Sequence, residues 1–173
     1  MKKPVIELKA IKYCTFASEE THCFEATMYV DGKRFAYVNN AGHGGSTCIS
    51  PIKGHYSQVE ELNERIKETH PRIFPIETDP PIIQAAFPEG MVMSLNCICN
   101  DLIEAYLIEK RLKALLRNHF VAQKPGEEGL FQWKKSKYPE EKFKSFAERK
   151  GWDVLNFMPR PKAMDIYTEL CVD

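Results

Sequence analysis

The chain has no net charge and no long apolar run, its first residues do not show the pattern of a secretion signal, and each of these features argues against a class of protein. Its 24 basic and 24 acidic residues balance, so bulk charge predicts no attraction to nucleic acid or to a membrane surface. The most apolar stretch, residues 91–116, holds too many charged and amide side chains to span a membrane. Glu7, Lys9 and Lys12 interrupt the N-terminal stretch where a secretion signal would lie. We therefore expect a cytoplasmic protein that does not bind membranes.

The sequence also lacks the paired ligand spacings that are typical of metal sites. Six cysteines and five histidines are present, but no Cys-x-x-Cys or His-x-x-x-His pair occurs. Cys97 and Cys99 lie two positions apart on a predicted helix, where side chains diverge. We therefore predict buried thiols rather than disulfides, no metal and no other cofactor.

The predicted fold is a single α+β domain over residues 1–173, a length that can bury its own core. An N-terminal strand over Val5–Phe16 and a hairpin at Asp31-Gly32 predict an antiparallel sheet, because a type I′ turn needs positive φ at both central positions. A long helix over Val92–Asn118 is apolar almost all round in its first half, so the sheet is expected to pack on it.

The domain is predicted to have four sub-regions, which are residues 1–70 with the sheet and a helix, a proline-rich connector at 71–91, the long helix at 92–118, and a hairpin-helix-strand module at 119–173. Ser57 and Glu60 have capping-box spacing and predict a helix through Thr69. Asp79 is expected to cap a short helix over 82–87. The predicted elements of the last module are strands at 119–123 and 130–134, a helix from Pro139 to Gly151, a strand at 152–158 and a helix at 163–170.

The segment Asn39–Cys48 (NNAGHGGSTC), hereafter the glycine loop, is the strongest candidate for a functional site. Three of the nine glycines fall within its ten positions, so the backbone must take positive φ or be approached closely. The amides, imidazole and hydroxyls around them could satisfy a ligand. The predicted ligand-binding residues are Asn39, Asn40, His43, Gly44, Gly45, Ser46 and Thr47.

The loop partly matches the phosphate-binding turns in which glycine N–H groups face an anion. It lacks the third glycine of a dinucleotide fingerprint and the lysine of a P-loop. A small anion or nucleotide is therefore one alternative, and an ordered structural loop is the other. His43 with Glu19 and Glu20 could also serve a small hydrolase or nuclease, although no nucleophile elbow occurs.

Two further constellations each have two interpretations. Asn96, Asn100 and Glu104 form a polar stripe on the long helix, which we expect to be its solvent-facing edge, with a pocket lining as the alternative. Lysines interleaved with aromatic residues in the second hairpin predict, as an alternative function, binding of single-stranded nucleic acid. That alternative site comprises Trp133, Lys134, Lys135, Lys137 and Tyr138. The competing interpretation is a hairpin with its aromatic side chains packed inward and its lysines in water.

The run Ser18–Lys33 (SEETHCFEATMYVDGK), continued by Tyr37–Thr47 (YVNNAGHGGST), resembles uncharacterised small proteins encoded by phages and bacterial mobile elements. The resemblance covers about the first 50 residues and, more loosely, the long helix with its C-terminal module. It implies a genomic setting and no catalytic residue. Small phage proteins of this kind are frequently antagonists of host defence that bind an effector or sequester a nucleotide signal.

Together these observations predict a non-enzymatic binding protein of the host-cell cytoplasm that antagonises a host defence pathway. It is expected to bind a host protein, or to hold a small anionic ligand such as a nucleotide, at the glycine loop. Nucleic-acid binding through the second hairpin and hydrolysis through His43 are the alternatives. A homo-oligomer is compatible with the sequence.

Overall fold

The computed structural model describes residues 2–73, 81–86 and 88–171. The chain forms two compact units, unit 1 over Met1–Glu104 and unit 2 over Ala105–Asp173. The fold class is α+β, as the sequence predicted, with an antiparallel four-stranded sheet, a smaller three-stranded sheet and a long helix. The single domain over residues 1–173 stays a prediction.

The sheet of unit 1 is an antiparallel meander. Its strands follow each other in chain order as β1 (Ile6–Tyr13), β2 (Phe24–Val30), β3 (Lys33–Asn40) and β4 (Cys48–Pro51). The predicted first strand ran to Phe16, but the structure ends it at Tyr13 because the chain turns into a short 3₁₀ segment over Thr15–Ala17. The sequence did not predict β4, whose four residues are too few to show an alternating pattern.

The hairpin between β2 and β3 turns at Asp31 and Gly32, as predicted. Both residues have positive φ, 49° and 77°, which the turn requires. The Asp31 carboxylate accepts hydrogen bonds from the Val5 N–H (3.0 Å) and from Arg65 Nη1 (3.2 Å). The hydrogen bond from the Val5 N–H, followed by that from Arg65, lowers the pKa of Asp31. The same two hydrogen bonds connect the turn to the start of the chain and to the helix that carries Arg65.

One face of the sheet contributes to the core of unit 1, as the alternation of β2 predicted. Helix α1 (Ser57–Thr69) adds Leu62 and Ile66. The buried apolar side chains of the sheet are Phe24, Ala26, Met28, Ala36 and Val38. This core holds the end of β3, which leads into the glycine loop, and the start of β2, which follows the segment facing that loop.

The structure corrects the predicted cap of one helix and the predicted start of another. Helix α1 has the predicted bounds, but Ser57 does not cap it, because the chain is already helical at Tyr56 (φ −58°, ψ −24°) and makes no side-chain cap there. The long helix α3 (Leu95–Asn118) begins three residues later than predicted, where the Ser94 hydroxyl accepts the Cys97 N–H (3.3 Å). Helix α2 is described over Pro81–Ala86, while its predicted cap Asp79 and its predicted last residue Phe87 lie outside the described residues.

Unit 2 contains the predicted second hairpin, formed by β5 (His119–Gln123) and β6 (Phe131–Lys134), with β7 (Asp153–Val154) on the other side of β5. Helix α4 (Glu140–Lys150) ends at Gly151 in the left-handed conformation (φ 66°), as predicted. Helix α5 spans Arg160–Cys171.

The predicted strand over residues 152–158 is wrong beyond Val154, because Leu155–Phe157 form a 3₁₀ turn. The Asn156 side chain on this turn accepts the Val121 N–H (2.8 Å) and donates to the Leu116 (3.1 Å) and His119 (2.9 Å) carbonyls. The alternation of apolar and polar residues in the sequence does not show that the Asn156 side chain hydrogen-bonds to both the end of α3 and β5.

Among the helices that the structure describes, none combines the length and apolar character that crossing a membrane requires.

Candidate functional site

The glycine loop is held in place by the carbonyl of its first glycine. The Gly42 C=O accepts N–H hydrogen bonds from Glu19 (3.0 Å), Glu20 (3.0 Å) and Thr21 (3.2 Å). Gly42 is buried and has φ +91°, and a Cβ at this position would overlap the Ala17 carbonyl oxygen. Residues 17–21 therefore pack directly on the loop, and only glycine fits at the point of contact.

Asn40 is a structural residue of the loop rather than part of its outer surface. Its side chain is 8% exposed. Its Oδ1 accepts the Gly42 N–H (2.9 Å) and the Thr21 hydroxyl (2.9 Å), and its Nδ2 donates to the Gly45 carbonyl (3.2 Å). One amide thus fixes the path of the loop on both sides of its bend.

The far end of the loop is tied to the start of α3. Thr47 is 7% exposed, and its N–H donates to Asn96 Oδ1 (2.7 Å). Asn96 therefore binds the loop, whereas the sequence placed it on a solvent-facing stripe. The other members of that stripe, Asn100 and Glu104, are exposed and line a cavity of about 410 Å³ with residues of the 18–22 segment.

The remaining predicted binding residues lie at the surface. Asn39, His43, Gly45 and Ser46 are exposed, and Gly44 is half-buried. Within the described part of the chain, no hydrogen bond is donated by the backbone N–H groups of residues 44–46. The loop thus presents a preformed outer edge with three polar side chains and unused backbone donors, while Asn40 and Thr47 hold it from inside.

Two carboxylates border this edge. His43 Nδ1 lies 3.0 Å from Glu19 Oε2, and both side chains are more than half exposed. The Glu20 carboxylate lies over Gly44, where an added Cβ would be 2.5 Å from Oε2. Negative charge at this edge opposes the binding of an anion and favours a cationic partner.

The surroundings of His43 bear on the metal and hydrolase alternatives. No group of three or more His, Cys, Asp or Glu side chains converges as metal ligands in this part of the chain. The predicted pair of His43 with Glu19 is formed, but Ser46 makes no hydrogen bond to His43 among the described residues. In the described residues His43 is therefore paired with a carboxylate and not with the hydroxyl nucleophile of covalent acyl transfer.

Sequence reasoning missed a neighbouring aromatic residue. Phe16 lies in the 3₁₀ segment that packs on Gly42 through Ala17, and its side chain is 91% exposed. A phenylalanine this exposed removes little apolar surface from water in the isolated chain. The alternating pattern of β1 concealed it, because it placed Phe16 in the strand. The sequence feature that could have indicated the end of the strand before Phe16 is the mostly polar run Ala17–His22 that directly follows it.

In unit 2, the predicted nucleic-acid site is only partly accessible. The Trp133 ring stacks on Trp152 (centroids 4.9 Å apart) and packs against Phe143 (5.3 Å). Lys134, Lys137 and Tyr138 are exposed, whereas Lys135 lies over the buried Phe120 ring. The inward packing of Trp133 removes a platform on which a base could stack.

The balanced net charge conceals an asymmetry between the two units. The sequence of unit 1 carries 10 lysines and arginines against 14 aspartates and glutamates, and unit 2 carries 14 against 10. The acidic surplus is in the unit that contains the glycine loop.

No protein-family model matches the chain, and neither a curated protein nor a solved structure shows significant similarity to it.

Proposed function

We propose that this protein is a non-enzymatic binding protein that docks on another protein through the edge of its glycine loop. The docking surface consists of Phe16, Glu19, Glu20, His43 and Ser46. The observation that carries the proposal is the 91% exposure of Phe16 on a segment that the Gly42 carbonyl holds in place. An apolar anchor on a rigid, polar-rimmed support is the usual centre of a protein interface.

The chemistry of this surface defines the kind of partner. Glu19 and Glu20 place negative charge beside Phe16, and unit 1 has an acidic surplus. The complementary surface is therefore basic around an apolar pocket that receives the phenyl ring. The resemblance to phage and mobile-element proteins supports a host protein of the cytoplasm as the partner, and the inhibition of a defence effector as the consequence.

A small anionic ligand such as a nucleotide is the second candidate. The unused N–H groups of residues 44–46 favour it, because successive glycine amides with positive φ can surround an anion. The two carboxylates at the same edge oppose it. Native mass spectrometry of protein purified without added ligand distinguishes the two, since a retained nucleotide adds mass that denaturation removes.

Phe16→Ser is expected to weaken partner binding at least tenfold, because it removes the apolar anchor. The measurement is quantitative affinity enrichment from host extract, followed by titration of the enriched protein. Tyr56→Ser is the matched control, since Tyr56 is another exposed aromatic residue (65%) of unit 1 that lies outside the docking surface. Both variants should melt close to the wild type. A partner retained equally by both variants would contradict the docking surface.

The double variant Glu19→Lys with Glu20→Lys tests whether charge attraction contributes to binding of the same partner. Reversing both charges should slow association with a basic partner, and the difference from the wild type should shrink as salt is raised. If the double variant binds the enriched protein with the same affinity and the same salt dependence as the wild type, the two carboxylates do not face the partner and the proposed charge complementarity is wrong.

A further inference from the structure

Cys14 and Cys23 face each other where β1 and β2 begin to separate. The last regular pair of the two strands is Tyr13 with Phe24, and one residue further on the Cys14 N–H donates to the Cys23 carbonyl (3.0 Å). The Ser18 hydroxyl completes the pair by accepting the Cys23 N–H (2.9 Å) and donating to the Cys14 carbonyl (2.8 Å). The two cysteines are thus held in opposite positions of an antiparallel ladder.

This register places both thiols on the same face of the sheet. Opposite residues of an antiparallel pair have Cα atoms about 4.5–5.5 Å apart, and a disulfide spans roughly 4.4–6.8 Å. In this pair one ladder bond is direct, and the Ser18 hydroxyl bridges the other. Cys97 and Cys99 offer a contrast within the same chain, because two helical positions of this spacing point in different directions.

The dithiol is accessible to small molecules. Both side chains are half-buried free thiols that line an open cavity of about 300 Å³ together with Lys12, Glu25 and Asn39. Burial and the adjacent Cys14 thiol, with a contribution from Glu25, raise the pKa of Cys23. The raised pKa lowers the fraction of Cys23 that is thiolate at a given pH, so the first attack is assigned to Cys14.

We propose that Cys14 and Cys23 form a thiol–disulfide exchange site whose co-reactant is a low-molecular-weight disulfide of the glutathione class. The Cys14 thiolate attacks one sulfur of the oxidant, forms a mixed disulfide and releases one glutathione thiolate. Cys23 then loses its proton, attacks the Cys14 sulfur and expels the second glutathione. Two protein thiols are oxidised to one disulfide, and one oxidant disulfide is reduced to two thiols.

The disulfide would close a ring over residues 14–23, which contains Phe16, Glu19 and Glu20. Cys23 also lies against Gly42, because a Cβ on that glycine would be 2.9 Å from the Cys23 Cβ. Oxidation would therefore restrain the segment that packs on the glycine loop. The exchange itself does not depend on what the loop binds.

The test is incubation of the folded full-length chain with oxidised glutathione, followed by alkylation and non-reducing peptide mapping. The expected product is a Cys14–Cys23 cross-linked peptide that dithiothreitol reverses, with a rise in melting temperature of about 5–10 °C. Cys23→Ser should stop the reaction at a stable glutathione adduct on Cys14, and Cys97→Ser should still form the cross-link.

Two results would overturn the proposal. One is a wild-type chain in which glutathione modifies the exposed Cys48 while Cys14 and Cys23 remain alkylatable. The other is a cross-link that forms only after the chain has been denatured. Both are read on the wild type, so the outcome does not depend on the folding of a variant.

Discussion

Gly42→Ala is expected to lower the free energy of unfolding of unit 1 by about 3 kcal/mol. The left-handed conformation alone costs a side chain about 1–2 kcal/mol. The new Cβ would also overlap the Ala17 carbonyl oxygen and lie 2.9 Å from the Cys23 Cβ. The backbone must move to relieve this overlap, which stretches the three N–H hydrogen bonds that the Gly42 carbonyl accepts.

Gly45→Ala separates the two contributions to this effect. Gly45 has nearly the same φ, +89°, but nothing lies within 4 Å of the position where its Cβ would be. It should therefore lose only the conformational part, about 1 kcal/mol. Urea denaturation of both variants, monitored by circular dichroism, measures the difference between their free energies of unfolding. Equal losses would mean that residues 17–21 do not pack on Gly42.

Asn40→Ala is expected to cost about 2–4 kcal/mol of stability. The substitution removes three hydrogen bonds and leaves the buried Gly42 N–H and the Gly45 carbonyl without their partner. Unsatisfied buried polar groups cost about 1–3 kcal/mol each. The loop should also become more mobile, which faster amide hydrogen exchange over residues 42–46 would report.

Asn39→Ala is the matched control, since it removes the same side chain from the preceding position of the same strand. Asn39 is exposed, so its loss should change stability by less than about 0.5 kcal/mol. Comparing the two variants separates the predicted binding residues that hold the loop in shape from those that the loop exposes at its surface. If the two substitutions cost the same, Asn40 does not have the structural role assigned to it.

The elements with strong local signals could be predicted from the sequence. The turn at Asp31-Gly32 follows from the positive φ that both positions require, and the end of α4 at Gly151 follows from the left-handed cap. The cap of α1 could not be predicted in the same way. Whether Ser57 or Tyr56 precedes the first turn depends on backbone hydrogen bonds to residues 55 and 56, which residue spacing does not encode.

The glycine loop was identified from its composition, but the roles of its residues were not. His43, Ser46 and Asn40 look equally suitable in the sequence, yet Asn40 turns inward because Thr21 and Gly42 offer it partners. Gly42 was left out of the predicted binding set, although it carries the contact with residues 17–21. The binding set itself stays a prediction.

The sequence by itself determined the α+β class, the antiparallel hairpin and the position of the loop, because these depend on local preferences of neighbouring residues. Only the tertiary structure decided that Phe16 projects into solvent, that Asn96 holds Thr47, and that Cys14 faces Cys23. The contacts of Asn96 and of Cys14 join segments that are separated along the chain, which hydrogen-bond geometry and strand register bring together. The exposure of Phe16 depends on where β1 ends and on what packs around the turn that follows. No local pattern contains that information.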